Sequence, residues 1–418
     1  MDKFKRALGG GLAMLLSLAT VSCGGGGGGT VAPSSSGVTT MAAASNVVAV
    51  TVDAGPDSAS ASTVNTLYTT VTVCMPGSTT ECQTIDNIQV DTGSSGLRIL
   101  APVLTLSLPV TVASDGNSLV ECTQFVDGFS WGPVASADVQ IAGESASSVP
   151  VQVIGSSNFA TVPAACSSTG PAEDKVATFG ANGILGIGVF AQDCGSGCAT
   201  NSTSGFYYSC SQTTCSPIAA SLVSQVPNPV PLFTTDNNGT ILVLPSVAAD
   251  GAASVSGSLI FGIDTESNNA SGTQTVLTLD QNGNFTTVYK GTTLSASFID
   301  SGTNGIFFDD SSIPVCTSSG FSGFYCPTST LSLSATLSGQ NNVSTTVDFS
   351  IANAQTLATN NPTFTAFASL GGSYPSFTTT IASTTTFDWG LPFFYGRRVA
   401  TAIEGYTTSV AMGPYVAF

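Results

Sequence analysis

From residue 46 onward, apolar and polar positions alternate in short bursts: VVAVTV, TLYTTVTV, DVQIA, VPVQVI, GTILVLP, GSLIFGI and TQTVLTL. Such runs are rich in β-branched residues and bounded by Gly, Pro, Asn and Ser, as strands are. Helical spacing is rare. SPIAASLVSQV, from Ser216 to Val226, is the best candidate, with Ser216 as cap, Pro217 at the first helical position and apolar residues three and four apart. The pattern predicts an all-β chain with few short helices. At 418 residues it can build one large or two medium domains with ample core.

The first 45 residues read differently. Lys3, Lys5 and Arg6 precede an apolar stretch, Leu8 to Ala19, that is short for a bilayer span, so residues 1–22 read as an export signal. Thr20-Val21-Ser22-Cys23 resembles a bacterial lipobox, with Thr20 where leucine is usual. The resemblance implies lipidation of Cys23, and Gly24 in place of aspartate implies sorting to the outer membrane. Ordinary signal cleavage nearby is the simpler alternative and also means export. The glycines 24–29 lack the Lys-Ser/Thr of a phosphate loop, so residues 23–45 read as a lipidated cysteine and flexible tether.

Charge narrows the partners. Residues 1–22 hold three of the 8 basic and one of the 25 acidic side chains, so without them the balance moves from −17 to −19. Such a surface repels nucleic acid and anionic head groups, and no nucleic-acid partner is expected. Setting Cys23 aside leaves an even number of cysteines out of 11, which suits disulfides in an exported protein. Cys74–Cys82 and Cys316–Cys326 close short loops. Cys194, Cys198, Cys210 and Cys215 cluster and pair among themselves, or hold zinc, which leaves Cys122 with Cys166. Five disulfides and no metal or cofactor are the expectation.

The chain has no histidine, which removes imidazole-based nucleophile systems and His-ligated zinc. What it does have is an internal repeat. DTGSSG begins at Asp91 and DSGTNG at Asp300, 209 positions later, each between apolar runs (IQV and LRIL; SFI and IFF). NGILGIG places Gly186 95 residues after Asp91, and FDWGLPFF places Gly390 90 residues after Asp300. Two signals recur in the same order at nearly the same spacing.

These residues resemble the pepsin-like, two-lobed aspartic peptidases, over most of residues 65–405. In that family each lobe supplies one Asp-Thr/Ser-Gly turn, crossed from behind by an apolar-apolar-Gly segment. Ile184-Leu185-Gly186 fits that segment in the first lobe and Asp388-Trp389-Gly390, less typically, in the second. YTTVTVCMPG resembles the opening hairpin, GSLIFGIDTESNNASG the text before the second lobe, and GLPFFYGRR the late strand–helix junction. The resemblance implies a bilobal all-β fold with pseudo-twofold lobes, 46–272 with the interlobe strands and 273–418. It implies Asp91 and Asp300 as the catalytic pair, sharing a proton because adjacent carboxylates cannot both ionise cheaply. Gly93 and Gly302 would allow close backbone approach, Thr92 and Ser301 would bond across the lobes, and Ser94 and Thr303 would bond the outer carboxylate oxygens. The implied activity is hydrolysis of peptide bonds in an extended peptide or unfolded protein, by a monomer with an acidic optimum.

The pattern breaks at the flap, the hairpin that closes over substrate. CTQFVDGFSWGPV, with Asp127-Gly128 at its tip, takes that place and runs into SADVQIAG. Phe125 stands where the family has a tyrosine, and Arg98, seven residues after Asp91, where it has the partner tryptophan. Phe129 and Trp131 alternate onto one face and either cover the cleft or fill a hairpin core. Arg98 either meets a substrate carboxylate or pairs with a neighbouring acid. Arg397 and Arg398 neutralise nearby acids, and TTTIASTTT is an exposed strand face or loop. Beside the peptidase stand two other readings: a lipoprotein whose cleft binds peptides or envelope proteins without cutting, and a structural Ser/Thr-rich surface protein.

Overall fold

The computed structural model describes residues 44–125, 128–211, 214–374 and 385–418. The expected export signal, Cys23, the tether up to residue 43, Asp127 at the hairpin tip and most of the TTTIASTTT run lie outside the described residues. Within them the chain is all-β, in two curled sheets of 15 and 7 strands that make two lobes. The helices are short: Val176–Phe179, Ser196–Thr200 and Ala354–Asn360, the last capped by the Asn353 side chain on the Thr356 amide.

The repeat in the sequence is a repeat in register. Strand Cys82–Asp91 runs parallel to Gly183–Ile187, with Val90 opposite Leu185 and Asp91 opposite Gly186. Strand Thr292–Ile299 runs parallel to Thr386–Trp389, with Ile299 opposite Trp389. On its other side each crossing strand meets the segment that leaves the aspartate turn, Ser95–Leu100 in the first lobe and Ile306–Phe308 in the second. Each aspartate therefore ends a strand held between two neighbours. Parallel strands buried on both faces need continuous apolar text, and IQV, SFI, ILG and IFF supply it.

One apolar cluster runs through both lobes, from Val71, Ile88 and Leu185 to Phe308, Phe387 and Trp389. The larger sheet also takes strands from late in the chain: Arg398–Ala402 pairs with Gly239–Val243, and Tyr415–Ala417 with Arg398–Ala402. Asn65, buried and held at φ 51°, clamps the lobes beside the second turn. Its amide donates to the carbonyls of Asn304 and Phe367, and its oxygen accepts from the Phe367 amide and the Tyr395 hydroxyl.

The predicted helix at Ser216–Val226 is not formed. Ser216 and Pro217 belong to a strand paired with Tyr207–Cys210, and a 3-10 turn, Leu222–Ser224, follows. The buried Gln225 side chain binds the Gly195 amide and the carbonyls of Gly195 and Ala220, while Val223 is 84% exposed. Tertiary hydrogen bonds override a weak local periodicity. The disulfides are Cys74–Cys82, Cys122–Cys166, Cys194–Cys198, Cys210–Cys215 and Cys316–Cys326.

Candidate active site

The two aspartate turns meet between the lobes, and their hydrogen bonds match atom for atom. The Gly93 amide donates to Asp91 Oδ1 and the Gly302 amide to Asp300 Oδ1, both at 2.7 Å. Ser94 Oγ donates to Asp91 Oδ2, and Thr303 Oγ1 lies 3.1 Å from Asp300 Oδ2. Across the interface, the Thr92 amide donates to Ser301 Oγ at 3.1 Å and the Ser301 amide to Thr92 Oγ1 at 2.9 Å. Ser301 Oγ in turn donates to the Val90 carbonyl at 2.8 Å, and Thr92 Oγ1 to that of Ile299 at 3.4 Å.

The glycines are steric necessities. A Cβ on Gly302 would stand 2.7 Å from Asp91 Oδ1, and one on Gly93 would overlap the Asp300 carboxyl group. Behind the turns, a Cβ on Gly186 would stand 2.7 Å from Ser94 Oγ, and one on Gly390 2.6 Å from the Thr303 carbonyl. Asp91 and Asp300 are both 0% exposed and face one another closely enough that the Cβ on Gly302 would stand 2.7 Å from Asp91 Oδ1 and 3.1 Å from Asp300 Oδ1. Burial pushes the Asp300 carboxyl well above the ordinary range. The charges of Asp91 and Asp388 add to this, against the Gly302 amide. Of the rim residues, Gly93 and Asn304 are half-buried.

Of the alternatives open for the flap residues, the structure selects the buried ones. Strands Ser118–Gln124 and Phe129–Ile141 form the hairpin, with Gln124 opposite Phe129. Phe125 is buried against Tyr68, Ile154, Phe179 and Ile184. Phe129 and Trp131 are not cleft surfaces: both are buried with Tyr208 and the Cys122–Cys166 bridge, and the Trp131 indole donates to the Phe159 carbonyl at 2.7 Å. Nor does Arg98 face a substrate, at 1% exposed. Its guanidinium donates to Glu121 Oε1 at 2.6 Å, Thr123 Oγ1 at 3.0 Å and the Ser95 carbonyl at 2.7 Å, with Asp193 Oδ2 at 3.6 Å. Glu121 and Thr123 sit on the first hairpin strand. Arg98 therefore ties the flap to the strand leaving Asp91, the two elements that the missing Tyr–Trp hydrogen bond would join.

One cation among two buried acids leaves a negative charge to remove. Burial, then the charge of Glu121, push the Asp193 carboxyl well above its ordinary range. The charge of Arg98 and the Tyr207 hydroxyl oppose this. Sequence reasoning missed Glu121, Asp193 and Tyr207, which lie far from Arg98 along the chain and carry no local signal. Arg397 and Arg398 bind backbone carbonyls rather than acids: Arg397 that of Phe393, and Arg398 those of Asn268 and Ala270. Asp388, which sequence had marked only as atypical, is fully buried with its Oδ2 at 3.0 Å from Thr303 Oγ1.

A crystal structure of an aspartic proteinase from Irpex lacteus is similar to this chain, with a TM-score of 0.52 and 16% identity, covering 89% of this chain and 96% of that one. At that identity the likeness concerns the fold, which is the bilobal pepsin-like one. No curated protein matches the sequence. A family profile described as "Protein of unknown function (DUF3443)" matches residues 42–418, and the chain belongs to that family.

Proposed function

We propose that this member of the family is an aspartic endopeptidase, held in the cell envelope by a lipidated Cys23 and cutting extended peptides with Asp91 and Asp300. The observation that carries the reading is the pair of aspartate turns bonded to one another across the lobes, with matching amide and hydroxyl donors on each carboxyl group. In the proposed reaction Asp91 takes a proton from water as its oxygen attacks the scissile carbonyl carbon. Asp300 gives its proton to the carbonyl oxygen. The tetrahedral diol then collapses: Asp91 passes its proton to the amine nitrogen as the C–N bond breaks, and one diol hydroxyl returns its proton to Asp300, which restores the pair. The raised Asp300 carboxyl suits the donor role, which leaves Asp91 as the acceptor.

An apolar pocket opens beside Asn304, lined by Val64, Phe321, Phe324, Leu357 and Phe367, and would take an apolar substrate side chain. Five disulfides fit an oxidising compartment outside the cytoplasm. The outer membrane and a monomeric state belong to the same reading, and Cys23→Ala should release the protein from the membrane fraction.

The test is cleavage of an unfolded protein by the full-length chain in detergent, between about pH 3 and pH 7. Expected is an acidic optimum, inhibition by a statine-type transition-state inhibitor, and no activity in Asp91→Asn or Asp300→Asn. Cleavage that survives either substitution, or is fastest above about pH 7, overturns the reading. The complete burial of both carboxyls favours a second reading, a cleft that holds extended chains without cutting. Peptide binding with no cleavage at any pH would select it.

A further inference from the structure

Asp388 lies on strand Thr386–Trp389, opposite Phe298 on one side and Phe307 on the other, and is 0% exposed. Its Oδ2 is 3.0 Å from Thr303 Oγ1, and the same Oγ1 is 3.1 Å from Asp300 Oδ2. Its Oδ1 has no hydrogen-bond partner among the described residues. A threonine hydroxyl has a single hydrogen, so it cannot donate to two carboxylates at once. One of the two contacts needs a proton on a carboxyl group. The ionisable groups whose charge is felt here are Asp91 and Asp300, both acids. The elements packed against Asp388, Thr292–Ile299, Ile306–Phe308 and the 3-10 turn Leu391–Phe394, carry no ionisable side chain. In this setting a charged Asp388 would be a buried anion without a cation, next to an aspartate pair that already carries a negative charge, a costly state that a proton removes.

We propose that Asp388 is a positioning residue for the aspartate pair: as a neutral acid it donates to Thr303 Oγ1 and so commits that hydroxyl's only hydrogen to Asp300. This rests on the reading of Asp91 and Asp300 as the reacting pair. When Asp388 ionises it becomes an acceptor, draws the Thr303 hydrogen away from Asp300 and adds a negative charge beside it. Ser94 in the first lobe has no such second claimant, because the matching position there is Ile184. Burial raises the Asp388 carboxyl well above its ordinary range and the charge of Asp91 adds to this, against the Thr303 bond.

The test compares the full-length wild type with Asp388→Asn and Thr303→Val, by pH–rate profile and by Tm against pH. The amide introduced by Asp388→Asn donates to Thr303 and never ionises. The alkaline limb of kcat/KM should then extend to higher pH and fall with the loss of about one proton rather than about two. Thr303→Val cuts the link and should lower kcat about tenfold with little change in KM, and adding Asp388→Asn should have no further effect on the profile.

Tm reads the same proton without activity. Folded Asp388 holds a proton that the unfolded chain releases near about pH 4, so its contribution is full below that value and lost as pH rises through the folded value. Asp388→Asn should therefore gain Tm relative to wild type as pH rises from about 4 to about 8. Parallel Tm curves, or an unchanged alkaline limb, overturn the proposal. Diverging Tm curves with no cleavage by the wild type would sustain the Asp388 proton and sink the peptidase reading. If Asp388→Asn does not fold, carbon NMR of aspartate-labelled wild type decides: three carboxyls still protonated near pH 6, those of Asp193, Asp300 and Asp388, support the proposal and about two overturn it.

Discussion

The two aspartate turns carry the same donors, yet the strands behind them are built on opposite principles. In the first lobe the crossing strand is apolar, Ile184-Leu185-Gly186, and the buried charge sits next door on Arg98, the partner of Ile184 in the ladder. In the second lobe the neighbour is apolar, Phe307, and the crossing strand itself carries the acid, Asp388-Trp389-Gly390. Arg98 answers its acids with a cation and fixed hydrogen bonds. Asp388 has only a hydroxyl that it shares with Asp300. A buried acid with a cation is a strut, whereas one without a cation depends on its proton and so on pH.

Breaking the first-lobe arrangement should have the largest effect. Arg98→Met leaves Glu121 and Asp193 buried without their cation and should cost about 3–5 kcal/mol in denaturant unfolding at neutral pH. The loss should shrink as the pH falls and the buried negative charge is titrated away. An equal loss at acid and neutral pH would mean that Arg98 acts by packing alone.

A smaller effect tests the symmetry of the turns. Gly93→Ala and Gly302→Ala each drive a methyl group against the opposite aspartate. Each should abolish cleavage and cost about 1–3 kcal/mol, by similar amounts. A large difference between them would show that the lobes bear the interface unequally. The smallest effect should come from Trp389→Phe, which removes an indole hydrogen bond to Thr287 Oγ1 at 3.2 Å and nothing comparable in the first lobe. About 0.5–1.5 kcal/mol is expected, with the pH–rate profile unmoved.

Most of this architecture could be read from the sequence where the signal was doubled. DTG with DSG, and ILG with WG at matching distance, located both turns and their crossing strands, because a twofold fold writes its text twice. The short disulfide loops were equally local. What a single chain position could not show was which distant groups fill an irregular space. Arg98 was visible as a departure, but Glu121, Asp193 and Tyr207 converge on it only through the folded hairpin. Trp131 read as a cleft aromatic or a core one, and its neighbours Tyr208 and the Cys122–Cys166 bridge decide for the core. The Ser216–Val226 helix failed because Gln225 and Tyr207 capture its backbone groups from outside the helical ladder.

The crossed hydroxyls at the lobe interface also set a clock. Thr92 is steadied by Ser301, 209 residues later, and Asn65 reaches Phe367 across 302 residues. At roughly 5–20 residues per second, a ribosome that has made Asp91 needs about 10–40 s more to deliver its counterpart. During that interval the first turn lacks its opposite carboxyl and its cross-bond, and contacts this distant in sequence are slow to close even afterwards. On the proposed peptidase reading the chain therefore stays inert through that part of its synthesis, since the site is assembled only after the second turn has been delivered.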